Sequence, residues 1–85
     1  MHTVELLERA LGAAASLGYH VRQDWLDGPG GGCEIKGEKW LFLDLASSPL
    51  DKLHIVADAL SRERAGWRDK VDPALRQFLE TRRAA

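Results

Sequence analysis

Two side chains with metal-binding chemistry lie one helical turn apart in the second half of the chain. His54 and Asp58 are four residues apart, and residues at this spacing share one face of a helix. An imidazole and a carboxylate supply only two of the ligands that a zinc ion needs, so Cys33, His20 or Asp44 would have to complete a site. Because such pairs often arise by chance, we expect no metal and no cofactor, with His54 and Asp58 as the candidates to examine.

Cys33 is the only cysteine, which excludes an internal disulfide and a structural zinc site built from several thiolates. Its thiol could act as a nucleophile only with a histidine as the base, and the two histidines considered are His20 and His54. Cys33 follows a glycine and precedes a glutamate, however, with no helix N-terminus or nearby cation to favour the thiolate. We therefore predict a small core residue and assign no catalytic residue.

The segment "GPGGG" is too weak a signal for a phosphate site. A phosphate loop opens a helix, whose first amide groups bind the anion. Here the glycines join two predicted strands. The pattern indicates a flexible connection, from Asp27 to Gly32, without a ligand.

The first helix is predicted from Thr3 to Leu17, where apolar residues recur every three or four positions. Thr3 is the expected N-cap, and Gly18 is suited to the left-handed conformation that ends a helix. A half-buried strand, "YHVRQDWL", follows.

Two further strands, "CEIK" and "KWLFLDL", are separated by Gly37 and Glu38, which suit a type II′ hairpin turn. We therefore expect a three-stranded antiparallel meander in the order one, two, three. Strand three is apolar on both faces: Trp40 and Phe42 point to one side, and three leucines point to the other.

The second helix has a clear start signal, with Ser48 as N-cap and Pro49 at the first helical position. Its predicted inward stripe is Leu50, Leu53, Val56, Ala57 and Leu60. A third helix is expected to begin at Pro73, with Asp72 as its N-cap, and to bury Leu75, Phe78 and Leu79. Trp67 is expected to fix the connection between the second and third helices. The sequence thus predicts one α+β domain over residues 1–85, with its helices packed mainly on one sheet face.

The order of these elements resembles the ImmA/IrrE-type metallopeptidase domain. The segments "SLGYHV", "GGGCEIKGEKWLFLDLASSP" and "KLHIVADALSR" occupy the places of that family's helix end, its strands and the helix that carries His-Glu-x-x-His. The resemblance covers residues 4–62 and implies a similar scaffold.

The same resemblance implies that the peptidase chemistry is lost. The positions that match the family's His, Glu and His hold Asp58, Ala59 and Arg62. The reaction needs two neutral imidazoles to hold the metal and a carboxylate to take a proton from bound water. A methyl group cannot act as that base, and a guanidinium cannot serve as a metal ligand. We therefore interpret the chain as a degenerate relative that keeps the scaffold alone.

Composition excludes several other classes. A hydrophobic share of 45% and a charged share of 29% are those of a globular protein, and no apolar run approaches the roughly 20 residues that span a bilayer. We expect no membrane association. The acidic start, "MHTVELLERA", differs from a secretory signal, so we expect a cytoplasmic protein.

A net charge of −1 removes the general attraction to nucleic acid. The alternative is a local basic surface in the last 25 residues, formed by Trp67 and six arginines: Arg62, Arg64, Arg68, Arg76, Arg82 and Arg83. Acidic residues interrupt this series, which favours an ordinary charged surface.

Strand three also predicts a homodimer. In a meander "KWLFLDL" lies at an edge of the sheet, long and apolar, where a second copy can pair with it or stack against its face. On that face Trp40 and Phe42 are expected to join aromatic residues of strand one. The predicted interface consists of Trp40, Phe42, Trp25 and Tyr19, with Val21 beside them. In the alternative, the third helix covers this side within one chain, through Trp67 and Phe78.

We therefore expect a noncatalytic domain that acts through protein association, with a partner other than itself unspecified. A metal-dependent hydrolase with an unorthodox site is one alternative. A nucleic-acid-binding accessory domain that uses the basic C-terminal helices is another.

Overall fold

The computed structural model describes residues 2–28, 30–63 and 73–84, with side chains as far as residue 80. Within these ranges the chain forms three helices and three strands, which confirms the α+β class. In chain order the elements are α1 (Thr3–Ser16), β1 (His20–Asp24), β2 (Gly30–Ile35), β3 (Glu38–Asp44), α2 (Pro49–Ser61) and α3 (Pro73–Ala84).

The strands are ordered β1-β3-β2, so β3 is central and the predicted meander is wrong. β3 pairs antiparallel with β2 and parallel with β1, where His20 is opposite Trp40 and Asp24 is opposite Asp44. A central position fits a strand that is apolar on both faces, because the middle of a sheet is the part best covered. It also removes β3 from the edge, where pairing with a second copy was expected.

The hairpin between β2 and β3 turns one residue earlier than predicted. Ile35 is opposite Glu38, so the turn consists of Lys36 and Gly37. Both have positive φ, 52° and 81°, as a type I′ turn requires and a type II′ turn does not. The type I′ twist matches that of the strands, and glycine carries the second left-handed position without strain.

β2 begins inside the glycine segment that the sequence assigned to a loop. Gly30 has φ 90°, and a Cβ at this position would lie 2.1 Å from the carbonyl oxygen of Phe42. Only glycine allows β2 to approach β3 so closely at this point.

The helix ends follow their sequence signals with one exception. The Ser48 hydroxyl accepts a hydrogen bond from the Asp51 N–H at 3.1 Å, as predicted for the N-cap of α2. Gly18 has φ 93°, as its predicted role in ending α1 requires. The predicted Thr3 cap is wrong: His2 takes the N-cap position without a side-chain hydrogen bond, because the helix starts one residue earlier. The Asp72 cap of α3 lies outside the described residues.

The hydrophobic core lies between the helices and one face of the sheet. Leu41 and Leu43 of β3 are fully buried there against Leu53, Val56 and their neighbours on the helices. The prediction that the helices share one face is therefore confirmed. Two predicted inward residues are exposed, Leu45 because it follows the end of β3 and Leu50 because it lies in the first turn of α2.

The third helix packs against α1 and α2. Leu75 and Leu79 are buried and Phe78 is partly buried, as predicted. The Phe78 ring lies 5.9 Å from that of His54 on α2. Phe78 therefore cannot cover Trp40 on the other side of the sheet, and Trp67 lies outside the described residues. Within the described ranges, no helix is long and apolar enough to cross a membrane.

Candidate interaction surface

A row of three rings lies on the sheet face opposite the helices, and we call it the ring row: His20, Trp40 and Phe42. Trp40 and Phe42 are two residues apart on β3 and stack with their centroids 5.8 Å apart and their planes at 10°. The His20 ring lies 4.8 Å from Trp40 because the two residues are opposite each other in the parallel pair. The rings of β3 are half-buried, and the contacts among them account for part of that burial.

The rest of this face follows from strand register. Ile35 is opposite Glu38, and Cys33 is opposite Trp40, so both share the face of the ring row. Ile35 is 44% exposed and Cys33 is exposed. The prediction that Cys33 is a core residue is therefore wrong, because its strand presents it on the face that the helices do not cover.

Two polar pairs border the rings of β3, one between β1 and β3 and the other within β1. His20 Nε2 lies 3.1 Å from a carboxylate oxygen of Glu38, and Arg22 lies 3.3 Å from Asp24. These pairs are well exposed and contribute little to stability. They give the face an apolar centre with a polar rim, which is the usual anatomy of a protein interface.

Trp25 follows β1 and is 72% exposed, the most exposed of the large hydrophobic side chains described. Its backbone N–H donates a hydrogen bond to Asp24 Oδ1 at 2.8 Å. Asp44 fixes the segment that follows β3 in a similar way, since its Oδ1 accepts a hydrogen bond from Ala46 N–H at 3.0 Å. This carboxylate has a structural role at the end of the sheet.

Tyr19 does not belong to this face, so its predicted grouping with Trp40 and Phe42 is wrong. Its side chain packs against the core on the helix side, as does Val21. The Tyr19 hydroxyl donates to Glu63 Oε1 at 2.8 Å, and Lys39 Nζ lies 3.2 Å from the same oxygen. The Lys39 ammonium also lies 4.9 Å from the Tyr19 ring centroid. Sequence spacing gave no sign of this cluster, whose members are far apart in the chain.

We predict an alkaline transition from this cluster. Burial, followed by the hydrogen bond to Glu63 and the charge of that carboxylate, raises the pKa of Tyr19 from 10.0 to about 12. The unfolded chain therefore loses this proton at a lower pH than the folded protein, and Tyr19 contributes stability that is lost as pH rises from about 10 to about 12.

The measurement is direct because Tyr19 is the only tyrosine. Tyrosinate absorbance of the folded protein should titrate near pH 12, and in denaturant near the ordinary value of 10.0. In Glu63→Gln the pKa should fall but stay above 10.0, because burial is the largest cause. Equal midpoints in folded and unfolded protein would contradict the burial of this phenol.

The metal candidates do not form a cluster. Among the residues that the structure describes, no three His, Cys, Asp or Glu side chains come together in a way that could hold a metal ion. Asp58 forms an ion pair with Arg62, in which a carboxylate oxygen lies 2.9 Å from a guanidinium nitrogen. The His54 ring contacts Phe78. Cys33 and His20 belong to the opposite face of the sheet.

Metal content and chelator sensitivity test this interpretation. We expect protein purified without a histidine tag to contain no stoichiometric zinc, and its melting temperature to be the same with and without a chelator. The double variant His54→Ala with Asp58→Ala should behave in the same way. About one zinc per chain, or a chelator effect that the double variant abolishes, would instead favour the metal-dependent hydrolase.

The positions that match the metallopeptidase motif have other surroundings. Ala59 is buried, 5% exposed, and faces Gly32 of β2. Asp58 and Arg62 form the ion pair described above. Neither imidazole of the motif has a counterpart at these positions.

A basic surface cannot be assembled from the described arginines. Arg62 is paired with Asp58, and Arg76, on α3, also has an interaction partner. Arg64 and Arg68 lie outside the described residues, as do the side chains of Arg82 and Arg83. The nucleic-acid interpretation stays a prediction without a structural counterpart.

A small cleft on the helix side opens at the edge of β2. It has a volume of about 200 Å³. Its lining consists of Tyr19, Gly32, Cys33, Glu34, Lys39, Ala59 and Arg62.

Comparison of this chain with protein-family models, with curated proteins and with solved structures finds no match. The resemblance to the metallopeptidase family therefore stays a prediction from the quoted motifs.

Proposed function

We propose that this chain is a noncatalytic domain that acts through protein association, and that its first partner is a second copy of itself. The observation that carries the proposal is the ring row, which lies on a sheet face that no described helix covers. Burying such rings against a partner removes a large apolar area from water. The face has the composition of an association surface, and the described residues offer no comparable constellation for catalysis.

The geometry favours stacking of two sheets over pairing of two edges through β3. Both edges of β3 are already hydrogen-bonded, to β1 and to β2. Two sheets stack face to face at about 10 Å, and a two-fold axis brings the same surface of both copies together. In this arrangement Trp40, Phe42 and Ile35 lie at the centre, and the polar pairs of His20 with Glu38 and of Arg22 with Asp24 lie at the rim.

Trp25, which directly follows β1, is kept in the proposed surface because of its exposure. A tryptophan that is 72% exposed gains more from a partner than the half-buried rings do, because more of its area is still in contact with water. Tyr19 is left out of this proposal, since its hydroxyl and ring are engaged on the helix side.

The degenerate-peptidase interpretation is part of the same proposal. It is supported by the order of the elements and by the helix that holds Asp58, Ala59 and Arg62 where the family has its catalytic motif. A scaffold without that motif can still act by binding a partner through its surface. The ring row is the aromatic part of the surface that the structure describes. A cytoplasmic location is proposed on the sequence alone.

A pair of matched glutamate substitutions tests the association. Light scattering at micromolar concentration should give the parent protein a mass near twice 9.5 kDa. Phe42→Glu should give a mass near 9.5 kDa with an unchanged circular dichroism spectrum. A buried aromatic anchor contributes about 2 kcal/mol or more, so the dissociation constant should rise at least about 30-fold.

Leu50→Glu is the matched control, because Leu50 is 47% exposed in the first turn of α2 and lies away from the ring row. It should leave the dimer intact. If Phe42→Glu does not fold, Ile35→Glu tests the same face at a position that is 44% exposed. A parent mass near 9.5 kDa would contradict the proposal, as would a dimer that both Phe42→Glu and Ile35→Glu leave unchanged.

A further inference from the structure

The outer edge of β2 has backbone groups that no other described element pairs with. A two-residue turn makes Ile35 and Glu38 a hydrogen-bonded pair. Hydrogen-bonded and non-hydrogen-bonded pairs alternate along an antiparallel ladder, so Cys33 and Trp40 form the next backbone hydrogen-bonded pair. The N–H and C=O groups of Gly32 and Glu34 therefore point away from β3. No backbone hydrogen bond from another described element reaches them.

Among the residues that the structure describes, none gives this edge the features that usually prevent strand addition. Proteins protect edges with proline, lysine or a covering element. From Gly32 to Ile35 the only charge is Glu34, and all four residues are exposed. The opposite edge of the sheet differs, since Arg22 pairs with Asp24 and Gln23 accepts a hydrogen bond from Lys52 of α2.

The cleft described above adjoins the same edge. Gly32 has no side chain, and a Cβ there would lie 3.4 Å from Ala59 Cβ and 4.0 Å from the Tyr19 ring. Two small residues thus leave the space of the cleft between β2 and the last turns of α2. A strand added beside β2 can place one side chain in this space, at the position opposite Gly32.

The charges around the cleft determine which side chain is preferred at the position opposite Gly32. Lys39 and Arg62 both line it, whereas their partners Glu63 and Asp58 are not among the lining residues. A carboxylate opposite Gly32 therefore lies near two cations, each of which already has one carboxylate partner, and adds a second acceptor to them. Two residues along, Glu34 also lines the cleft and favours a cation on the neighbouring strand.

We infer that the β2 edge binds an extended peptide as an antiparallel strand, with the pattern Lys-x-Glu. Because the strands run in opposite directions, the glutamate lies opposite Gly32 and the lysine, two residues earlier, lies opposite Glu34. Backbone hydrogen bonds provide affinity, and the cleft provides specificity, as in other cases of strand addition to a sheet edge. This surface shares β2 with the proposed dimer face, but it uses the backbone groups of the edge and side chains on the helix side, which the ring row does not contact.

A fluorescein-labelled peptide, Thr-Lys-Val-Glu-Val-Thr, is the probe. Its fluorescence anisotropy should show saturable binding to the intact protein below about 1 mM. Exchanging its lysine and glutamate should weaken binding about fivefold or more, since two attractive pairs become repulsive. Arg62→Gln should weaken binding of the first peptide several-fold without a change in melting temperature, because Arg62 is well exposed.

N-methylation of the peptide tests strand addition itself. The peptide glutamate lies in a hydrogen-bonded pair with Gly32, so methylating its nitrogen should abolish binding. Methylating the nitrogen of the valine between lysine and glutamate should have little effect, because that N–H points away from β2. The two modified peptides have the same composition, which makes each a control for the other.

Phe42→Glu separates this inference from the proposed dimer, and should bind the peptide as the parent does even when it is monomeric. The inference is overturned if no saturable binding occurs up to about 1 mM, or if both N-methylated peptides bind equally. It is also overturned if the peptide converts a parent dimer into monomers, because the edge would then belong to a second copy.

Discussion

Leu53→Asp and Val56→Asp should each leave the chain unfolded at room temperature. Leu53 is 1% exposed and Val56 is fully buried, and the buried residues among those that the structure describes are all hydrophobic. Burying an unpaired carboxylate costs several kcal/mol, whereas a domain of this size has a free energy of unfolding of roughly 5 kcal/mol. Either substitution alone therefore removes most of the stability.

Leu50→Asp is the matched control within the same helix. Leu50 was predicted to face inward but is 47% exposed, so its aspartate keeps contact with water and should leave a cooperative melt. Circular dichroism melts of the three variants measure the difference. A Leu53→Asp melt within a few degrees of the parent would mean that this face of α2 is not in the core.

Gly30→Ala should cause the second large loss of stability. The new methyl carbon would lie 2.1 Å from the carbonyl oxygen of Phe42, and φ at this position is 90°. Both the contact and the backbone angle are unfavourable for any residue that has a Cβ, so β2 must move away from β3. We expect the free energy of unfolding to fall by at least about 2 kcal/mol.

Gly28→Ala, two residues earlier, is its control. Nothing lies within 4 Å of a Cβ added at Gly28, and its φ is not in the left-handed region. Urea denaturation should therefore give Gly28→Ala a midpoint near that of the parent and Gly30→Ala a clearly lower one. Equal midpoints for the two variants would show that the close approach of β2 to β3 is not needed.

The sequence predicted the helices well because their signals are local. The Ser48 cap, the proline that begins α3 and the left-handed Gly18 each act within one turn of the residues they affect. The apolar residues of α3 recur at helical spacing, and Leu75 and Leu79 are buried as expected.

The order of the strands could not be read in the same way, since it depends on contacts between distant parts of the chain. One signal was nevertheless present: "KWLFLDL" is apolar on both faces, which is typical of a central strand. The preference for hairpins between consecutive strands competed with this signal. The short connection after β1 instead carries the chain past the position of β3, leaving room for parallel pairing.

The candidate surface was predicted in part for the same reason. Trp40 and Phe42 alternate with the buried leucines, so their position on the uncovered face followed from the period of a strand. Which residues of β1 join them depends on strand register, and register brings His20 to Trp40 and leaves Tyr19 on the helix side.

The reactivity of Cys33 shows whether two copies associate through the ring row. Cys33 is the only cysteine, and it shares the ring-row face as the register partner of Trp40. Its rate of reaction with a thiol reagent should fall as protein concentration rises through the range where the mass doubles. In Phe42→Glu the rate should stay high at every concentration. If the mass doubles and the Cys33 rate does not change, the copies associate through another surface, and the ring row is not the dimer interface.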